Sequence, residues 1–380
     1  MRKIKTVKII ENGKAISIQI NNGTKIRFHS NWLIDNILDS SSRDIINGQK
    51  LISLSNIPKN NYIKYAELDK SRTNIILFFL DRKKEFSFPC SWLLKNIYDK
   101  KRTNTKGWID SQIKTWDSKI LNELPKANFN SITLNKNSLL LSLLKLKKFG
   151  FLKIVGGKTK SKELLKIANL FGYVRETNYG KFFNVKSEVN AINLAYTNLG
   201  IDLHTDNPYR DPVPSIQLLY CIENTAKGGD SIVADGFYAA LLLKKKNPKF
   251  FDLLSKYNIK FEFKGDKKNY LQSSKPLIEL SSMGEIISIR FNNRSIAPIT
   301  DVPYKYMEEY YKAYRVFGDI ISSKKLAVNF KLKPGESFLV DNNRVLHART
   351  GFSSKGKRWL QGCYVDKDGL LSTISTLSKR

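Results

Sequence analysis

Only three histidines occur in this chain, and two of them, His204 and His347, stand in runs that read as metal ligands. In Asp202-Leu203-His204-Thr205-Asp206 a histidine and an aspartate are two residues apart, so on extended backbone both side chains leave the same face. Far downstream, Asp341-Asn342-Asn343-Arg344-Val345-Leu346-His347 offers a second histidine that completes one face of an octahedron. Such a 2-His-1-carboxylate set leaves three positions open for a co-substrate and O2, the arrangement of non-haem Fe(II) oxygenases. A structural zinc would instead take four closed ligands, usually with cysteine, and no cysteine is close by in sequence. A His-x-Asp triplet also arises by chance, and a lone histidine is commonly packed or solvated, so the surroundings decide.

Those surroundings include Arg358, which opens the strand-like run Arg358-Trp359-Leu360-Gln361-Gly362-Cys363-Tyr364-Val365. Arg358, Leu360, Gly362 and Tyr364 share one face of that strand. An inward arginine is costly unless paired, and its planar fork matches a carboxylate in two places. An arginine lining a metal cavity is therefore what a dicarboxylate co-substrate requires; the plainer reading is a structural salt bridge.

Together these segments resemble the gamma-butyrobetaine dioxygenase and trimethyllysine dioxygenase family of 2-oxoglutarate-dependent oxygenases. The resemblance runs from Leu146-Lys147-Lys148-Phe149-Gly150 to about Asp368. It includes Asn193-Leu194-Ala195-Tyr196-Thr197, His204-Thr205-Asp206-Asn207-Pro208, Gly228-Gly229-Asp230-Ser231 and Asp235-Gly236-Phe237. It implies that His204, Asp206 and His347 bind Fe(II), that Arg358 holds the distal carboxylate of 2-oxoglutarate, and that Ser231 lies near that co-substrate. It implies further that Asn193 and Asn292 hold substrate or co-substrate by hydrogen bonds, O2 is consumed, ascorbate supports activity and the protein is a homodimer. Tyr179, Phe183, Tyr196 and Tyr364 match the family's aromatic cage, with Phe183 where a tryptophan is expected. A trimethylammonium group has no N–H to donate and is recognised by ring faces, at about 0.5 to 2 kcal/mol each. Any one of these rings could equally fill a core. Asn207 stands where gamma-butyrobetaine enzymes tend to carry a tyrosine, an exchange that bears on which acidic end of a substrate is preferred.

Composition bounds the alternatives. A chain of 380 residues, 41% hydrophobic, can bury a large core and is expected to form two domains. The start, Met1-Arg2-Lys3-Ile4-Lys5, has no sustained apolar region and no span of about 18 apolar residues occurs, so a cytoplasmic protein without membrane contact is expected. Cys90, Cys221 and Cys363 make neither a metal spacing nor a disulfide framework, and Cys90 reads as a buried small hydrophobe. The net charge of +31, from 65 Lys and Arg against 34 Asp and Glu, raises nucleic-acid binding as an alternative. The basic residues are spread along the chain without a nucleic-acid motif, so a lysine-rich solvated surface is preferred.

Residues 1–100 read as a small β-rich domain, 101–125 as a linker, and 126–380 as the catalytic domain, mainly β with flanking helices. The resemblance implies a double-stranded β-helix, or jelly roll, for the latter. Ala15 to Ile20, Asn21-Asn22-Gly23 and Lys25 to Phe28 read as a hairpin, and a related pattern recurs at Asn74 to Phe88. In the family the first domain often binds zinc through three cysteines and a histidine. Here Trp32 to Asp44 lacks cysteine and His29 stands alone, so zinc is expected to be absent. Helices are expected over Ser161 to Phe171, Gly236 to Lys246 and Tyr304 to Ile321, with Met307, Tyr310, Tyr311 and Tyr314 as core or dimer contacts.

The expected activity is Fe(II)- and 2-oxoglutarate-dependent hydroxylation of a small trimethylammonium compound, foremost gamma-butyrobetaine to L-carnitine. Trimethyllysine and a trimethylaminoalkyl phosphonate are alternatives in the same chemistry; a non-catalytic or nucleic-acid-binding protein is the alternative from another class.

Overall fold

The computed structural model describes residues 3–99, 105–186, 197–265 and 268–379. The chain divides into two units, Met1–Thr103 and Asn104–Arg380. In the first, β1 (Ile4–Ile10), β2 (Ala15–Ile20) and β3 (Lys25–His29) form an antiparallel sheet and lead into α1 (Ser30–Asp35). The plan repeats with β4 (Ile63–Leu68), β5 (Asn74–Phe79), β6 (Glu85–Pro89) and α2 (Cys90–Lys95). The hairpin at Asn21-Asn22-Gly23 is present, with Gly23 at φ +84°, where a side chain would be strained. Period-2 alternation buries Ile16, Ile18 and Ile20 of one sheet with Ile75, Leu77 and Phe79 of the other. The equivalent rings Trp32 and Trp92 meet at 5.4 Å, and Trp32 packs on Phe28 at 5.2 Å. Cys90 is buried, and His29 Nδ1 pairs with the Tyr98 hydroxyl at 2.8 Å.

The second unit begins with β7 (Lys126–Asn128), α3 (Phe129–Leu134), α4 (Lys136–Phe149), β8 (Phe151–Val155) and α5 (Glu163–Ala168). Then come β9 (Phe183–Val185), β10 (Ile201–His204), β11 (Ile216–Asn224), β12 (Ser231–Asp235), α6 (Gly236–Lys246) and α7 (Pro248–Lys256). Two hairpins, β13 (Ile259–Phe263) with β14 (Leu271–Lys275) and β15 (Ile278–Leu280) with β16 (Ile286–Ile289), precede α8 (Tyr304–Ser322). The unit ends with β17 (Val328–Phe330), β18 (Ser337–Asp341), β19 (Val345–Arg349), β20 (Arg358–Val365) and α9 (Lys367–Ser378). A six-stranded sheet has the order β7-β8-β18-β11-β20-β9 and a four-stranded sheet the order β10-β19-β12-β17. Only the β7–β8 pair of these sheets is parallel.

Alternation along the strands explains how the sheets pack. On β11, Ile216, Leu218 and Tyr220 join residues of α4, α5 and α9 in one core. Leu219 and Cys221, on the other face, meet Phe338 and Val340 of β18, Leu360 of β20, and Val233, Val328 and Val345 of the four-stranded sheet. The two sheets therefore lie face to face over a shared apolar interior. Helices α6, α7 and α8 cover the far side of the smaller sheet, where Ala234 and Leu346 pack with Ala240, Leu254 and Phe317.

The stretch expected as a linker is tied into the second unit from Gly107 onward. Trp108 donates to Met283 O at 3.0 Å, and Trp116, 6% exposed, donates to Phe149 O at 2.7 Å. Its polar composition conceals two tryptophan anchors. The helix expected over Ser161 to Phe171 contracts to α5, while α6 and α8 match the other two within a residue. In α8, Tyr310 is fully buried, Met307 and Tyr314 pack against the same core, and Tyr311 is half exposed.

One buried ion pair ties these layers together. Arg344, just before β19, donates from Nε and Nη2 to the two carboxylate oxygens of Asp235 at 3.1 and 2.8 Å, both side chains being almost wholly buried. Nη1 also donates to Lys148 O at 3.0 Å and Nη2 to Lys114 O at 2.7 Å. Asp235 accepts in turn from Trp116 N and from Phe237 N, capping α6. Asp235→Ala or Arg344→Met should each lower stability by about 3–5 kcal/mol, because the surviving charge is stranded. Urea unfolding followed by tryptophan fluorescence measures this; a loss below about 1 kcal/mol would place the pair among weak surface contacts.

Candidate metal centre

Strands β10 and β19 run antiparallel, and their ladder sets His204 directly opposite His347, with ring centroids 4.4 Å apart. Asp206 reaches them differently from the shared strand face expected. β10 ends at His204, Asp206 lies in the bend that follows, and Asn207 turns the chain with φ +52°. His204 Nε2 is 3.2 Å and His347 Nε2 3.8 Å from Asp206 Oδ1, and one ligand atom from each residue lies within 4.8 Å of the others. His204 Nδ1 faces Asp202 O at 2.8 Å; a carbonyl only accepts, so Nδ1 is the donor there and Nε2 is the nitrogen turned toward Asp206.

Charge states suit a cation. Burial would raise the Asp206 carboxyl, but His347, His204 and the Tyr364 hydroxyl outweigh it and hold the group below the usual carboxylate range. Burial, reinforced by His204, pulls His347 down to about 3, leaving a neutral ring at physiological pH. An ionised carboxylate and a neutral imidazole are the forms that ligate metal.

Residues around Asp206 fix its aim. Asn342 accepts from Asp206 N at 2.7 Å and donates to Asp206 O at 2.9 Å, clamping that peptide to the turn between β18 and β19. Gln217 of β11 and Tyr364 of β20, paired across the ladder, both donate to Asp206 Oδ2, the tyrosine at 2.8 Å. The carboxylate is thus left with Oδ1 toward the histidines. Neither Gln217 nor Asn342 carries a signal of this role in sequence; each becomes visible only when the turn and the ladder bring it to residue 206.

A cavity of about 450 Å³ opens on His204, Asp206 and His347. Five phenyl or phenol rings line it: Tyr179, Phe183, Tyr209 and Phe263, which form one contiguous group of four, and Phe338 apart from them. Tyr209 and Phe263 stack at 5.1 Å, while Tyr179 meets Phe183 at 6.0 Å and Phe263 edge-on at 6.2 Å. Tyr209 and Phe263 escape sequence reading, since each follows ordinary core spacing. Tyr364, expected as a cage ring, is 4% exposed and stands 5.4 Å behind Phe183, with its hydroxyl on Asp206. Phe183 lies across Gly362, where a Cβ would meet its ring at 2.4 Å. Tyr196 and Asn193 lie outside the described residues.

The polar residues expected here also line the cavity. Arg358, 7% exposed, donates from Nε to Gly229 O at 3.2 Å while its buried Nη1 has no hydrogen-bond partner, and burial lowers the group to about 10, leaving it a cation. A buried guanidinium nitrogen without an acceptor fits a carboxylate ligand such as the distal end of 2-oxoglutarate. Ser231 is buried on the same cavity wall. Asn292 donates to Thr205 O at 3.0 Å and leaves Oδ1 buried without a donor. Asn207 accepts from the Tyr209 hydroxyl at 2.6 Å and leaves Nδ2 buried without an acceptor.

Residues 122–364 match the family described as Taurine catabolism dioxygenase TauD, TfdA family. The chain is 32% identical to the gamma-butyrobetaine dioxygenase of Homo sapiens over 315 residues, covering 79% of this chain and 81% of that protein. It is 29% identical to the gamma-butyrobetaine dioxygenase of Pseudomonas sp. (strain AK-1), over 96% of this chain and 94% of the relative. Identity to the trimethyllysine dioxygenase of Meyerozyma guilliermondii is 27%, over 98% and 96%. Among solved structures, asparagine oxygenase shares the fold at a TM-score of 0.51 and 17% identity, over 62% of this chain and 80% of that one.

His204→Ala and His347→Ala should each abolish Fe(II) binding in equilibrium dialysis while the far-UV spectrum is unchanged; undiminished binding in either would remove that residue from the ligand set. Tyr364→Phe keeps the ring but deletes a hydrogen bond to Asp206, and metal affinity should fall about 10-fold or more.

Proposed function

The chain belongs to the TauD/TfdA dioxygenase family and is a 2-oxoglutarate-dependent dioxygenase; from that premise we propose that it hydroxylates a small trimethylammonium compound, foremost gamma-butyrobetaine, giving L-carnitine. The observation that carries this reading is the wall of four rings converging on the cavity that holds His204, Asp206 and His347. Four neutral rings attract a quaternary cation with no hydrogen bond required of it, each contributing about 0.5 to 2 kcal/mol.

His204, Asp206 and His347 would hold iron, and Arg358 the distal carboxylate of 2-oxoglutarate with Ser231 beside it. Bound together, iron(II) and 2-oxoglutarate would activate O2, the oxidant: one oxygen atom would enter succinate as 2-oxoglutarate loses CO2, and the other would enter the substrate C–H bond to give the alcohol. The chain's own residues orient and exclude. Gln217 and Tyr364 keep Asp206 aimed at the histidines, the rings hold the cationic head so that one C–H bond faces the metal, and the apolar wall keeps water out. Asn193 and Tyr196 would complete this set.

Trimethyllysine is the second reading, and Asn292 favours it: the buried Oδ1 acceptor would pair with an α-ammonium, which gamma-butyrobetaine lacks. The facing sheets are read as a double-stranded β-helix. The protein is further read as a cytoplasmic homodimer, supported by ascorbate and without zinc; its three cysteines are free and buried, as a reducing compartment allows. No helix among the described residues is long and apolar enough to cross a membrane.

Succinate release with Fe(II), ascorbate and 2-oxoglutarate should rise on adding gamma-butyrobetaine, with carnitine formed in equal amount by mass spectrometry. Succinate coupled instead to hydroxytrimethyllysine would promote the second reading, and no succinate with any trimethylammonium compound would overturn both. Arg358→Ala should raise the KM for 2-oxoglutarate at least 10-fold, roughly the worth of a charge-assisted hydrogen bond, with little change in substrate KM.

A further inference from the structure

Arg294 is a cation at the cavity that neither the metal centre nor the co-substrate reading uses. It lies in the single turn Asn293–Ser295 that follows Asn292, and Asn292, Arg294 and Ser295 all line the cavity. That turn runs against β13: Ala297 N donates to Lys260 O at 2.9 Å and Phe261 bridges Ile296. The charged groups on the β13 side of the same wall are Glu262 and Lys264, and they neutralise each other at 3.0 Å. Among the described residues, no hydrogen bond, ion pair or ring engages the Arg294 guanidinium.

We propose that Arg294 is a substrate-binding residue that pairs with the acidic end of the substrate while the rings hold its quaternary head. This rests on the trimethylammonium reading and sharpens it: the preferred ligand carries both a quaternary cation and an anion, and an uncharged acid derivative should bind more weakly. The geometry supplies one ring-lined region and one unpaired guanidinium on the same 450 Å³ cavity, with Arg358 already committed to the co-substrate. A guanidinium also serves a carboxylate and a phosphonate alike, so Arg294 sets the requirement for an anion and the unpartnered Asn207 Nδ2 donor on the same cavity discriminates among anions. It explains how a cavity whose protein groups are mostly cationic would take a positively charged molecule: the ligand is a zwitterion that brings its own countercharge.

The test compares gamma-butyrobetaine with its carboxamide, in which the same head and chain end in an uncharged group, using full-length wild type, Arg294→Gln and Arg294→Lys. Calorimetric titration of the metal-free protein and KM measured with Fe(II) and 2-oxoglutarate are the two readouts. The expected result is that Arg294→Gln weakens gamma-butyrobetaine binding and raises its KM by about 10- to 100-fold, leaves the carboxamide and the KM for 2-oxoglutarate unchanged, and is partly rescued in Arg294→Lys. Equal losses for acid and amide, an unchanged acid, or a raised KM for 2-oxoglutarate would each overturn the assignment. If wild type handles neither compound, the trimethylammonium reading fails with it; if wild type handles gamma-butyrobetaine and Arg294→Gln does so equally well, only Arg294 is removed.

Discussion

The contact between Arg344 and Asp235 is the constraint from which the rest of the second unit is organised. Asp235 closes β12 and caps α6; Arg344, just before β19, reaches back to the Lys148 carbonyl in the last turn of α4 and to that of Lys114. A guanidinium and a carboxylate this deeply buried tolerate no slack, because any shift that separates them leaves both charges in an apolar medium. The pair therefore fixes the register in which Val233 faces His347, and β19 in turn presents His347 to His204. The short turn that carries Arg344 carries Asn342 as well, so the same few residues determine where Asp206 is held. Stability and ligand geometry share one piece of backbone, and neither can drift without the other.

Much of this was legible in the sequence, and what was not has a common cause. The alternation of β20 put Arg358, Leu360, Gly362 and Tyr364 on one face, and Leu360 does point into the shared interior while Cys363 points out of it. The His-x-Asp spacing pointed to His204 and Asp206, which the fold brings together with His347, although Asp206 arrives through a turn. Residues whose roles come from distant pairing were not readable. Gln217 and Asn342 act on Asp206 only because β11 meets β20 and the β18–β19 turn meets residue 206. Trp108 and Trp116 hide in a polar stretch because composition averages over the two side chains that matter. Tyr364 was read for its ring, and its hydroxyl turns out to be engaged with the carboxylate.

Electrostatically the cavity is unusual for a proposed cation site. Arg294, Arg349 and Arg358 line it, and the Glu262 carboxylate on its wall is already paired with a lysine. Full carboxylates pointing inward would attract a quaternary amine more strongly, but they would also compete with Asp206 for iron and repel 2-oxoglutarate. Neutral ring faces avoid both conflicts, which gives a physical reason for recognising the head with aromatic side chains in a chain of net charge +31.

The glycine beneath Phe183 has a consequence of a historical kind. Position 362 has no room for even a methyl group while Phe183 lies across it, and Phe183 takes its place on the wall because nothing projects from β20 there. Neither residue is free to vary alone: an alanine at 362 displaces the ring, and a bulkier ring at 183 must still find its seat over the same bare backbone. Descendants of this chain that acquire a new pocket shape must change the two in concert, or in an order in which the ring shrinks before the glycine is lost. The narrowest route to a new substrate runs through a position that never touches it.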